Sequence, residues 1–276
     1  MTNRLTGWCT GLLGLLIATT ASVEAAGTRG YFRYPAIHDR VVAFTAEGDL
    51  WTVALAGGRA VRLTTHVEQE TRARFSSDGQ QIAFSAGYEG PREVYVMPLA
   101  GGRPKRLTYD GESSRVVGWT PDGRVVYSTR HYSTLPNTQL VLVDPGSLAT
   151  RPVPLHQASQ GDWTPDGRTL FFTRLAKQGS STKRYQGGTA ENIWRFADGD
   201  KEAVSLTGDY AGTSRDPMVW KDRVYFSSDR DGTMNLWGMD PDGGNLTQLT
   251  RHRGFDVLSP ALSNGRIVYQ LGADLH

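Results

Sequence analysis

Few residues in this chain stand at spacings that do chemistry. Ser180-Ser181-Thr182-Lys183 has the Ser-x-x-Lys spacing that, on a helix, sets a lysine beside a serine nucleophile. Here it falls in a polar, Gly-flanked loop with no helical pattern, so it reads as a chance match. Asp229-Arg230-Asp231-Gly232-Thr233-Met234-Asn235 has oxygen ligands at alternate positions, as a calcium loop does, but lacks the Gly at the sixth position and the Glu at the twelfth. It reads as a solvated turn. Histidines 38, 66, 131, 156, 252 and 276 share no paired metal-ligand spacing, and His66 and Glu70 fall between strands, where a spacing of four has no meaning. Neither Gly-x-Ser-x-Gly nor His-Glu-x-x-His occurs. No catalytic residue, metal ligand or cofactor site is assigned.

One polar stretch has a chemical character of its own. Lys177, Lys183 and Arg184, followed by Tyr185, make the segment between Thr173 and Glu191 basic. Such a loop is expected to hold the carboxylate end of a peptide, or to be solvated surface with no ligand.

The elements that must position this loop form a repeat. Phe75-Ser76-Ser77-Asp78-Gly79 followed by Gln80-Gln81-Ile82-Ala83-Phe84-Ser85 reads as a strand, a tight turn and an alternating strand, because Gly tolerates positive φ and Asp bonds its own backbone. The unit returns at Trp119-Thr120-Pro121-Asp122-Gly123 and Trp163-Thr164-Pro165-Asp166-Gly167, and more weakly at His38-Asp39, Trp220-Lys221-Asp222 and Asn264-Gly265. Each copy closes alike, with Arg62-Leu63-Thr64, Arg106-Leu107-Thr108, Ser205-Leu206-Thr207 and Gln248-Leu249-Thr250, and with Pro154-Leu155-His156 as the divergent member.

Turn positions 39, 78, 122, 166, 222 and 264 recur at the spacing of propeller blades, about 40–50 residues with four short strands each. The expected fold is all-β, a six-bladed β-propeller of WD40-like (PD40) repeats. Its blades are placed near 30–65, 66–109, 110–156, 157–207, 208–250 and 251–276, the sixth incomplete. The basic stretch is then an insertion in blade four, where repeat folds carry rim loops. Trp119, Trp163 and Trp220 recur just before their turns and read as blade core. Ala273-Asp274-Leu275 matches Gly48-Asp49-Leu50, so the sixth blade is expected to hold two strands and the start of a third, as in a fragment or truncated product, and the ring to be poorly closed.

The 276 residues, with 32 Gly and 13 Pro, suit one large all-β domain, placed at 26–276. Residues 1–25 read as a cleaved secretory signal: Arg4, the apolar run Leu12 to Ala18, then Val23-Glu24-Ala25. The run is short of the roughly 20 residues that span a bilayer, and an uncleaved anchor is the alternative. The mature chain is expected to be exported, periplasmic or secreted, with no membrane span. Cys9 is the only cysteine and precedes the apolar run, so no disulfide is expected. A net charge of +2 without clustered Lys/Arg argues against nucleic acid as a partner.

The sequence resembles the amino-terminal six-bladed propeller of tricorn-type serine peptidases of the S41 class. The likeness runs from about Gly30 to the end. It is carried by Glu47-Gly48-Asp49-Leu50-Trp51, Lys183-Arg184-Tyr185-Gln186-Gly187-Gly188-Thr189, Arg215-Asp216-Pro217-Met218 and Ser228-Asp229-Arg230-Asp231-Gly232-Thr233-Met234-Asn235-Leu236. The shorter repeats are shared with TolB-like periplasmic propellers. The resemblance implies a part in peptide degradation, the propeller gating or channelling peptides to downstream peptidase domains. In that family the catalytic Ser and His, a second Ser and a Glu lie beyond a second propeller, and none of their motifs occurs in this chain. The family also implies hexamers and, in other members, a cytoplasmic location. A stand-alone TolB-like envelope propeller that binds a protein partner is the alternative.

Overall fold

The alternating strands and Asp-Gly turns fold into six antiparallel sheets of consecutive strands. The structure, a computed structural model, describes residues 30–176 and 184–276. Among them there is no helix, hence none long and apolar enough to cross a membrane. Blade one is built from Arg33–His38, Val41–Ala46, Asp49–Ala54 and Val61–Arg62, and blade two from Glu70–Phe75, Gln81–Ala86, Glu93–Pro98 and Lys105–Arg106. Arg115–Trp119, Gln160–Trp163, Ser214–Trp220 and Val257–Ser263 open the other four. These innermost strands touch in order around a ring, the sixth against the first.

Two recurring devices explain why the repeat folds this way. At the first turn a hydroxyl bonds the turn aspartate, Ser76 Oγ to Asp78 at 2.6 Å and Thr164 Oγ1 to Asp166 at 2.6 Å, with Thr120 and Asp122 paired likewise. Gly79 completes the turn at φ 68°, a conformation that glycine adopts without a Cβ clash. At the outer end, the threonine of the closing motif reaches back to strand three. Its hydroxyl accepts the N–H of Leu50, Val94, Ile193 and Leu236 at 2.8–3.0 Å, from Thr64, Thr108, Thr207 and Thr250. The same hydroxyls donate to Glu70, Glu93, Asn192 and Asn235. Each of these polar groups thereby finds a partner, which a dry blade interface requires. Blade three closes with Pro154-Leu155-His156 and has no threonine at this position.

Apolar clusters lie between neighbouring blades: Ile82, Phe84 and Leu50 join blades one and two, while Phe171, Val224 and Phe226 join blades four and five. The sixth blade has Val257–Ser263, Arg266–Leu271 and a two-residue third strand, Asp274–Leu275, paired with Gln270 and Leu271. The expectation of a poorly closed ring is corrected. Ile37 and Val42 of blade one bury against Ala261 and Val268 of blade six, and the Phe32 N–H donates to the Ala273 carbonyl at 2.9 Å. The first two strands of each blade carry the apolar contact, so two full strands of blade six suffice for it.

Candidate functional site: the central channel

The six innermost strands enclose a cavity of about 590 Å³ on the ring axis. Strand alternation points every second side chain of each strand at this axis or at a neighbouring blade. The alternation is broken in five blades by a register shift. The shifts lie between Arg33 and Ala36, Thr71 and Arg74, Arg215 and Met218, and Leu258 and Ala261, and opposite Val126 and Tyr127 in blade three. Pro35, Pro217 and Pro260 sit inside three of these bulges, where the missing N–H costs no ladder bond.

Towards the first-turn end the wall is aromatic, with His38, Phe75, Trp119 and Trp163. The reading of Trp119 and Trp163 as blade core is therefore half of the picture. Both pack on inter-blade clusters yet keep an edge on the channel, and Trp119 Nε1 donates to the Arg74 carbonyl at 2.9 Å. Further from the first turn the wall is charged and polar: Arg74 and Asp162 stand one residue before Phe75 and Trp163, with Arg72, Gln160 and Asp216 beyond.

Most of these charges are anchored. Arg74 donates from Nε to the Val117 carbonyl at 3.1 Å and from Nη1 to the Ala73 carbonyl at 2.9 Å, tying blade two to blade three. Burial lowers its pKa to about 10, which leaves it charged at neutral pH. Asp162 accepts the N–H groups of Val219 and Trp163 at 2.8 and 3.0 Å, tying blade four to blade five. Burial raises its carboxyl to about 6, against those two bonds and the attraction of Arg74. Asp216 accepts from Gln160 Nε2 at 2.8 Å.

The basic insertion lies between the second and third strands of blade four, at the Arg72 end of the ring. Lys177 and Lys183 lie outside the described residues, as does Ser180-Ser181-Thr182-Lys183. Arg184 is exposed, and its Nε donates to the Gly232 carbonyl of blade five at 2.8 Å. Tyr185 is half-buried and its ring covers Gly187, where a Cβ would stand 2.5 Å from the hydroxyl. Sequence reasoning missed Arg72, Arg74, Gln160, Asp162 and Asp216 as channel groups. The available signal was charge at strand positions where the repeat favours apolar residues, together with the recurring proline.

The other sequence motifs are occupied by the protein itself. Asp229 accepts from the Thr213 N–H at 2.8 Å and the Tyr210 hydroxyl at 3.1 Å, and Asp231 accepts from Asn235. The His66 ring packs at a tilt against Tyr88 with centroids 4.2 Å apart. Among the described residues no group of three or more His, Cys, Asp or Glu could hold a metal ion.

Residues 29–276 match the family model described as the tricorn protease N-terminal beta propeller domain. The chain belongs to that family. Its relatives include the Tricorn protease homolog 1 of Streptomyces coelicolor, 35% identical over 253 residues, a match covering 89% of this chain and 23% of that protein. This chain therefore spans about a quarter of the length of such tricorn relatives. Among solved structures, the crystal structure of the tricorn protease superposes with a TM-score of 0.81 at 24% identity, over 90% of this chain and 25% of that one. A TolB from Agrobacterium tumefaciens gives 0.67 at 22% identity, over 89% of this chain and 84% of that one. At these identities the two structures speak to the fold.

Proposed function

We propose that this propeller gates or channels peptides towards serine-type peptidase domains of the S41 class, downstream in the full-length protein. The observation that carries this reading is the central channel of a tricorn-family propeller, aromatic at its first-turn rim and charged further in. An aromatic rim offers sequence-tolerant contact to side chains, while charge further in acts on termini and acidic or basic groups. The loop of Lys177, Lys183, Arg184 and Tyr185 is the proposed peptide-contact segment at the charged end. Residues 1–25 are proposed as an export signal ahead of a propeller domain at 26–276. Assembly into a homo-oligomer, a hexamer in the resembled family, is part of the same reading.

Binding of fluorescently labelled casein-derived peptides to this chain tests the proposal. Measurable affinity, weakened when Lys177, Lys183 and Arg184 are together changed to Ala, is expected. Unchanged affinity in that variant removes the loop from the site, and no binding of any peptide overturns the channel reading. The second reading is a TolB-like propeller that binds a folded protein partner, on the same fold that this chain shares with 84% of the TolB chain. Peptide-blind behaviour together with saturable capture of one envelope protein would support it.

A further inference from the structure

Opposite charges face one another across the channel, each set there by a backbone conformation that side chains avoid. Tyr34, Arg72, Asp216 and Ser259 have φ of 51°, 58°, 56° and 48°, each within the bulge of its blade's innermost strand. Strained residues recurring at one repeat position favour a role for what they display over chance. Arg72 and Asp216 both line the cavity. They belong to blades two and five, which stand opposite each other in a ring of six.

The two walls differ in sign and in how far their charges are used. The Arg72 guanidinium makes no hydrogen bond or ion pair with a described residue, and lies 5.4 Å from the centroid of the Tyr34 ring. Arg115 and Arg92 stand on its side of the ring, where the Ser114 N–H bonds the Arg92 carbonyl at 2.7 Å. Burial lowers the Arg72 pKa, with Tyr34 and Asp216 opposing the shift and Arg115 and Arg92 adding to it. Across the channel, Asp216 is oriented by Gln160 and has Arg215 Nε at 3.5 Å, while Arg215 also faces Glu191 at 3.8 Å. Between the charges the wall carries Ala36, Val116, Met218 and Ala261 on blades one, three, five and six, and the polar Gln160 and Asp162 on blade four.

We propose that this waist is a binding site for short peptides with both termini free, the carboxylate on Arg72 and the ammonium on Asp216. The site rests on the peptide-channel reading and names its substrate class. A wall of one sign would favour one terminus and repel the other, whereas facing walls of opposite sign match a zwitterion. Charge-assisted bonds are the strong ones, and a guanidinium with unfilled donors fits a carboxylate in a forked geometry. The neutral amides and small side chains of the peptide would lie against Ala36, Val116, Met218 and Ala261.

Calorimetric titration of the whole chain with dialanine, trialanine, tetraalanine and pentaalanine tests this, each peptide free, N-acetylated and C-amidated. One length is expected to bind best, and blocking either end should weaken it by about tenfold or more. Arg72→Gln should abolish the preference for a free carboxylate and spare that for a free amine, and Asp216→Asn should do the reverse. Asn suits the left-handed backbone at 216. Arg115→Gln, at an exposed side chain, should weaken carboxylate preference in part, and it serves if Arg72→Gln does not fold. Equal binding of free and blocked peptides overturns the waist site alone when long peptides still bind through Lys177, Lys183 and Arg184. No binding of short or long peptides overturns both readings.

Discussion

A single carboxyl inside the channel makes a pH signature. The Asp162 pKa rises from 3.8 to about 6 on burial, so the folded chain holds this proton more tightly than the unfolded chain. For an acid raised in this way, the stability contribution is present below pH about 4 and is lost as pH rises through about 6. Burial raises Glu70 and Asp110 in the same direction. The turn aspartates Asp78, Asp122 and Asp166, lowered by hydrogen bonds, act with the opposite sign below pH about 4. We expect Asp162→Asn to flatten part of the fall in melting temperature between pH about 4 and about 6. An identical slope in the variant would show that Asp162 does not titrate there. The closing threonine gives a second test at this scale. Thr108→Val leaves the buried Val94 N–H without its acceptor and Glu93 Oε2 without its donor, while Glu93 Oε1 keeps Arg106 and the Gly111 N–H. Denaturant unfolding should show a loss of about 1–3 kcal/mol, with Thr108→Ser far less harmful.

Within the innermost strands, the contrast between two glycines separates space from conformation. A Cβ on Gly161 would stand 2.8 Å from Leu170 Cδ1 and 3.0 Å from the Phe171 carbonyl oxygen, whereas one on Gly118 meets nothing within 4 Å. Neither has positive φ. Gly161→Ala should therefore cost about 1–3 kcal/mol by overpacking, and Gly118→Ala less than about 0.5 kcal/mol; equal midpoints in chemical denaturation would contradict this. The turns and closing motifs were legible in the sequence because local chemistry specifies them: Asp78-Gly79 makes its turn from adjacent residues, and Thr108 returns to Val94 within one blade. The channel was not legible in the same way. Period-two alternation places Arg72 and Asp216 on strands, but each bulge shifts what the next residues face, and no local pattern says that blades two and five oppose these side chains. The basic loop was found by composition alone, and the structure adds the contact of Arg184 with Gly232.

The ring as a whole closes by side-chain packing, with the Phe32 N–H to Ala273 carbonyl bond and the hydrogen bonds of Asp39 with Ser263 and Asn264 beside it. Every sheet is made of strands consecutive in the chain, so among the described residues no sheet pairs strands from the two ends. The seam between blades one and six then depends on Ile37, Val42, Ala261 and Val268, with Val53 and Leu275 packed at its edge. Repeat folds whose units touch only their neighbours have stability that sums unit and interface terms, and closing the ring adds one more interface. Ile37→Ala should cost about 2–5 kcal/mol if this interface is formed in solution. Ile37→Ala and Val268→Ala remove groups from the same cluster, so their effects should interact by about 0.5–3 kcal/mol in a double-mutant cycle. Ile37→Ala combined with Val141→Ala, a residue buried between blades two and three, should be additive within about 0.5 kcal/mol. Additivity in both pairs, with Ile37→Ala costing no more than a surface change, would mean that the seam stands open and that the channel lacks its sixth wall. Coupling confined to the pair of Ile37 and Val268 would locate the closing interaction at this cluster, and with it the enclosure that brings Arg72 and Asp216 face to face.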